Sequence, residues 1–191
     1  MRLWTSQTIE FYNELIGNGI AYCSKISPIA QDCTIAYKWI AEQMKKRIGE
    51  PPMSEIKLPV WAWYQYDSKK KNRPPLSDSV KTNPNQREMM IEFEAPDELV
   101  LLSDFQLWHH PLNGWNLCID KREIKRVDDY FYTDFKEKPA EIQKIIMDSW
   151  DLIFDLDFRH KRYITKHKKN RCIQATVWYI RKEWVISATE Y

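Results

Sequence analysis

Arg159–Arg171 (RHKRYITKHKKNR) holds seven Lys/Arg and two His with no acid among them. Directly behind it, Ile173–Ile180 (IQATVWYI) alternates as a strand does and carries an uncharged amide, Gln174, near its start. Cations neutralise phosphates, and an amide can hold a hydroxyl, so these two segments are how a site for a phosphate-bearing ligand would be built. Arg159, Lys161, Arg162, Lys168 and Arg171 are the candidate phosphate or nucleic-acid contacts, with Tyr163 interleaved and Lys69–Arg73 as a second cationic stretch. An edge strand beside a solvated loop has the same pattern, and most charge runs only keep a surface wet. Upstream, Asp148, Asp151, Asp155 and Asp157 form an acidic patch able to neutralise the basic run on one surface.

Other chemistries are excluded by what is missing. Four glycines, Gly17, Gly19, Gly49 and Gly114, cannot supply a P-loop or a dinucleotide fingerprint, which need several backbones close to phosphate. No HExxH, GxSxG or kinase-like set occurs. His109 and His110 are adjacent and diverge on a helix, so they do not share a metal, and one is expected to cap a helix end. Cys23, Cys33, Cys118 and Cys172 show neither CxxC nor metal-ligand rhythm, so no metal site is expected. Cys172 stands beside the cations that could lower a thiol pKa, although a buried inert thiol reads the same way. Free thiols, no signal-like segment and no long apolar run point to a cytoplasmic protein without membrane contact.

The chain of 191 residues is 43% hydrophobic and 29% charged, with a net charge of only +2, which fits a single globular domain. Nine Trp, ten Tyr and seven Phe provide ample core material, since each buried aromatic removes roughly 150–250 Å² from water.

Periodicity places the elements that would position the candidates. Arg2–Thr5 reads as a short strand, followed by a helix capped by Ser6 or Thr8 and ended by Gly17 or Gly19. A second helix runs from Gln31 to Ile48, with Ala36, Ile40, Met44 and Ile48 inward and a Glu42–Lys46 pair outward. Leu58–Tyr66 (LPVWAWYQY) is a strand covered on both faces. Residues 67–87 form a long polar loop, read as disordered. Met89–Ala95 alternates with Met89, Ile91 and Phe93 inward and Met90, Glu92 and Glu94 outward, and Leu99–Leu102 follows as a buried strand. Ser103 and Gln106 have capping-box spacing for a short helix ending at Pro111. Pro139 opens a third long helix, and Trp184–Ser187 makes a last short strand. With no βαβ rhythm, the fold class is α+β, a single domain with a mainly antiparallel sheet and three longer helices.

The blocks RLWT, LPVWAWYQ, VLLSDFQLWH and IQATVWYI resemble a bacterial family catalogued as a domain of unknown function, over nearly the whole chain. The opening from Leu3-Trp4-Thr5 to Gly19-Ile20 and the close from Ile173-Gln174 to Val185-Ile186 are also similar in outline to ADP-ribosyltransferases. That similarity implies an ADP-ribosyltransferase-like fold, NAD as substrate, and transfer of ADP-ribose to nucleic acid or protein. Gln174 would orient the ribose, Arg2, Trp4 and Thr5 would meet the dinucleotide, and Tyr64 would stack on the nicotinamide. Two departures weaken the chemistry. Trp4 stands where His is expected unless Arg2 takes that part, and Gln174 stands where Glu is expected. Breaking the glycosidic bond develops positive charge on the sugar; a carboxylate stabilises it, and a neutral amide supplies no such field. A binding module for nucleic acid or nucleotides, or a protein-interaction role anchored by exposed Trp, is the alternative.

Overall fold

Thr8 decides where the first strand ends. In the computed structural model, which describes residues 1–23, 33–66, 73–77, 81 and 86–191, strand β1 (Arg2–Thr8) runs directly into helix α1 (Ile9–Asn18). The Thr8 hydroxyl accepts from the Phe11 amide at 3.2 Å, satisfying a donor that the first helical turn would otherwise orphan. Ser6, the other candidate cap, stays within the strand. Gly19 ends the helix at φ 78°, where its amide reaches the Leu15 carbonyl at 3.0 Å.

The remaining elements follow the apolar periods. Helix α2 (Thr34–Ile48) buries Ala36, Ile40 and Met44 on its four-residue stripe. Its expected start at Gln31 lies outside the described residues, and Glu42 pairs with Lys45 at 2.9 Å rather than with Lys46. After strands β2 (Ile20–Ala21) and β3 (Val60–Gln65) come β4 (Glu88–Glu94) and β5 (Leu101–Asp104). Helix α3 (Phe105–Leu112) is capped one residue later than the spacing predicts. Asp104 accepts from the Leu107 amide at 2.9 Å, while Ser103 remains in β5 and faces Gln174. A carboxylate is the stronger acceptor for a helix amide, so the cap moves to it.

Helix α4 (Lys121–Asp128) has no counterpart in the expectations. Helix α5 (Ala140–Ser149) follows Pro139 as expected and tightens into a 3-10 turn over Trp150–Phe154, which buries Trp150 and Ile153. Strands β6 (Ile173–Val177), β7 (Ile180–Arg181) and β8 (Val185–Glu190) complete the chain. The polar loop expected at 67–87 lies largely outside the described residues.

Six strands pair in the order β5-β6-β3-β1-β4-β8, every neighbour antiparallel, and β2 pairs with β7 apart from them. The fold is α+β and forms one domain. One face carries Leu3, Val60, Ala62, Ile91, Phe93, Ala175 and Val177 beneath Phe11 and Leu15 of α1. The opposite face carries Leu101 and Trp61 beneath α2, α3 and α5, around Trp39, Trp108 and Trp150. Strand β4 departs from simple alternation. Met90 and Glu92, expected outward, are buried, and so is Glu88 at the start of the strand. Sitting between β1 and β8 gives the two carboxylates polar partners, which removes the penalty of their burial. Ser6 donates to Glu88 and lies 2.6 Å from the Tyr191 hydroxyl; Glu92 accepts from Arg2 and from Ser187 at 3.0 Å.

Candidate functional site

Both chain ends meet in one line across the sheet. The register pairs Ser103 with Gln174, Gln174 with Trp63, Trp63 with Trp4, Trp4 with Glu92, and Glu92 with Ser187. Directly paired residues share a face, so Trp4 and Gln174 lie on the same side with only Trp63 between them. The Trp4 indole N–H is buried with no hydrogen-bond partner among the described residues. The Arg2 guanidinium sits 5.9 Å from its ring and is bound to Glu92.

Position and access are different matters along this line. Gln174 is only 5% exposed, and its amide donates to the Ser103 hydroxyl at 3.3 Å. The Trp63 ring reaches across β6 to stand edge-on to Phe105 at 5.0 Å. Two of the expected dinucleotide contacts belong to the other face. Thr5 is buried beside Ile91, donates to the Trp61 carbonyl at 2.6 Å, and accepts from Gln7 at 2.8 Å. Tyr64 packs against the cluster under α1. Thr5 and Tyr64 therefore do not share a ligand position with Trp4 and Gln174, because side chains alternate along a strand.

The basic run is built around one residue turned inward. Arg171, expected at a phosphate, is 1% exposed and pairs at 3.3 Å with Asp104, whose side chain is fully buried. It also donates to the carbonyls of Phe158 and, at 2.8 Å, Lys166, two points on the turn it closes. Gln65 holds the same turn from β3, donating to the carbonyls of Lys168 at 3.1 Å and Arg171 at 2.7 Å. Ile164 is buried, and its backbone pairs with His160 in both directions at 2.7 and 2.9 Å. With its interior fixed in this way, the turn leaves Arg159, Lys161, Arg162, Lys166, Lys168 and Lys169 exposed.

Three members of the acidic patch are engaged away from these cations. Asp148 pairs with Lys144 at 2.5 Å and Asp151 with Arg47 at 3.0 Å; Asp155 accepts from its own turn. The groove between α2 and α5 is lined by such groups, with Glu42 taken by Lys45 and Arg47 by Asp151. Among the described residues, the carboxylate that forms an ion pair with the exposed run is Asp128 of α4, 3.7 Å from Arg162.

A family model described as Domain of unknown function (DUF3841) matches residues 2–186. The chain belongs to this family. No curated protein and no solved structure matches it.

Around the basic turn in this family member stands a connected set of rings. Tyr163 lies 5.5 Å from His160 and 5.4 Å from His110, which is 6.0 Å from Trp115. The Tyr163 hydroxyl donates to the Cys118 carbonyl at 2.6 Å, and its ring carries the Arg162 guanidinium at 5.7 Å. Both histidines of the adjacent pair lie within α3. His109 bonds the Phe105 carbonyl at 3.0 Å and His110 the Asn116 carbonyl at 2.9 Å, so neither simply caps the helix end. Burial holds His110 below the ordinary histidine range, and the Asn116 contact partly opposes the shift.

Burial pushes the Cys23 thiol up to about 11, leaving it protonated and unreactive at neutral pH. Cys172 donates to the Tyr66 carbonyl at 2.7 Å. No group of metal-ligating side chains occurs among the described residues, and no helix among them is long and apolar enough to cross a membrane.

Sequence reasoning missed Lys121, Lys125, Trp115, Phe131 and Tyr132, all exposed near the basic turn. Asp120 followed three residues later by Glu123 was the available signal for α4.

Proposed function

We propose that this protein binds nucleic acid through the phosphate backbone, at the basic turn formed by residues 159–171. One observation carries the reading: Arg171 and Gln65 fix the turn from inside, so its remaining cations face solvent on a preset frame. Cations held in place lose less entropy on binding than cations on a free loop. Lys161, Lys166, Lys168 and Lys169 form no ion pair among the described residues; Asp148 and Asp151 are engaged elsewhere, and Asp128 pairs with Arg162. Arg171 serves this function as the internal brace, not as a contact.

Titrating a labelled oligonucleotide against the protein at increasing salt tests the reading. Neutralising about four phosphates of a single strand gives a log–log salt slope of about −3. Absence of binding at low salt, or affinity indifferent to salt, removes the proposal.

A second reading retains NAD as a substrate for ADP-ribosyl transfer to nucleic acid or protein. The shared line of Trp4 and Gln174, together with the unpartnered Trp4 indole N–H, favours it. In that reading Arg2 and Trp4 hold the dinucleotide and Gln174 the ribose, with the Trp63 side chain moving aside to expose the amide. A neutral amide positions the sugar without stabilising its developing charge. Labelled NAD incubated with nucleic acid and with protein extract should show slow transfer or hydrolysis, and Gln174→Glu should speed it. No turnover by either form disposes of this second reading.

A further inference from the structure

The basic turn accounts for affinity, but a second surface beside it carries rings rather than charges. Phe131 is 72% exposed and Tyr132 97%, adjacent in sequence and edge-on at 5.1 Å. Trp115 is 56% exposed. Large rings left in water on a folded domain mark contact sites when they cluster. The backbone turn that carries Phe131 and Tyr132 is held from beneath. The Lys138 ammonium is buried and donates to the carbonyls of Tyr130 and, at 2.6 Å, Thr133, the residues on either side of Phe131-Tyr132. The amides of Tyr130, Phe131 and Thr133 close the same turn at 3.0–3.1 Å. Burial lowers the Lys138 pKa, and the Asp134 charge opposes the shift. Trp115 is tied likewise, its carbonyl accepting from the Trp150 indole at 2.7 Å.

Both ring positions connect to the cations. Phe131 follows Asp128, which pairs with Arg162 of the basic turn. Lys121 and Lys125 lie two helical turns and one turn before Asp128, on the stripe of α4 that it shares. Trp115 reaches Tyr163 through His110. The surface thus combines exposed cations with exposed rings on a braced backbone. Duplexes present phosphates but hide the faces of their bases; single strands present both. Stacking on aromatic side chains within a cationic surface is the mode by which single strands are held.

We infer that the polymer recognised is single-stranded, its bases stacking on Trp115, Phe131 and Tyr132 while Lys121, Lys125 and the basic turn take its phosphates. This rests on the nucleic-acid reading above. The test compares fluorescence anisotropy of one labelled single-stranded oligonucleotide and its duplex, using wild type, Phe131→Ala/Tyr132→Ala, Trp115→Ala and Trp115→Phe. The single strand should bind at least tenfold more tightly than the duplex. The double variant and Trp115→Ala should each lose roughly tenfold on the single strand and little on the duplex. Their salt slope should remain that of wild type, and Trp115→Phe should recover most of the loss.

Equal or tighter binding of the duplex overturns the inference while leaving phosphate binding intact. So do ring variants that fold, by thermal melt and near-ultraviolet dichroism, yet bind the single strand as wild type does. A salt slope that changes with the rings also overturns it, since that assigns their effect to charge. Failure of wild type to bind either form removes the underlying reading as well.

Discussion

The sheet line Ser103–Gln174–Trp63–Trp4–Glu92–Ser187 and the turn at 159–171 are both rich in groups that could do chemistry, and they dispose of them in opposite ways. Along the line the polar groups are mostly buried and consume one another: Gln174 with Ser103, and Glu92 with Arg2 and Ser187. On the turn one cation, Arg171, is buried and paired so that the others need not be. Buried polar groups must be satisfied internally, and a satisfied group has little left to offer a ligand. Exposed charges pay no such toll. The contrast favours the turn as the working surface and the line mainly as its support.

Breaking the brace should have the largest effect. Asp104→Ala leaves the Arg171 charge buried without its partner and uncaps α3. A loss of about 3–5 kcal/mol is expected, read from urea denaturation. Replacing both members, as Asp104→Ala/Arg171→Met, should recover part of it, because the surviving charge is the main penalty. A negligible loss in the single variant would mean that the pair does not hold the turn.

Next comes Gly114, which joins α3 to the Trp115 loop. Its φ is +65°, and an added Cβ would stand 2.9 Å from the Phe135 Cβ. Gly114→Ala should cost about 1–3 kcal/mol, measured by thermal melting, because both backbone and neighbour must yield. The same variant should weaken any ligand contact made by Trp115.

The linkage through His110 is smaller. Its folded pKa lies below the unfolded value, so the unfolded chain takes up a proton first as pH falls. Stability from the neutral ring is therefore present above the ordinary histidine pKa of about 6.5 and is lost as pH drops through the folded value. Denaturation midpoints should decline over that interval, and His110→Gln should flatten the decline.

Least for stability, and most for function, are Lys161→Glu and Lys168→Glu. Each should shift stability by no more than about 0.5 kcal/mol, yet weaken oligonucleotide binding and make its salt slope shallower. A large stability change in either would erase the distinction between turn and line.

Much of the framework was legible because it rests on local signals. Thr8 as a cap, the Ala36–Ile40–Met44 stripe, the alternation of Val60 to Gln65 and the entry at Pro139 all depend on residues within a few positions of one another. The reading of β4 failed at Glu92, whose partners Arg2 and Ser187 lie far away in sequence. Helix α4 was missed although Asp120 and Glu123 advertised it, since its stretch carries few apolar residues and only Ile124 and Val127 turn inward. For the candidate site, the cluster of cations was visible and its internal division was not.

Composition and period determined an antiparallel α+β domain with an aromatic core and a basic segment leading into a strand. Tertiary structure alone decided that Arg171 points inward, that Gln174 is covered, that Thr5 and Tyr64 turn to the opposite face from Trp4, and that Phe131 and Tyr132 stay in water. The reason is physical. Local preference sets which way a chain turns, but burial and pairing are settled by neighbours that only the fold brings together.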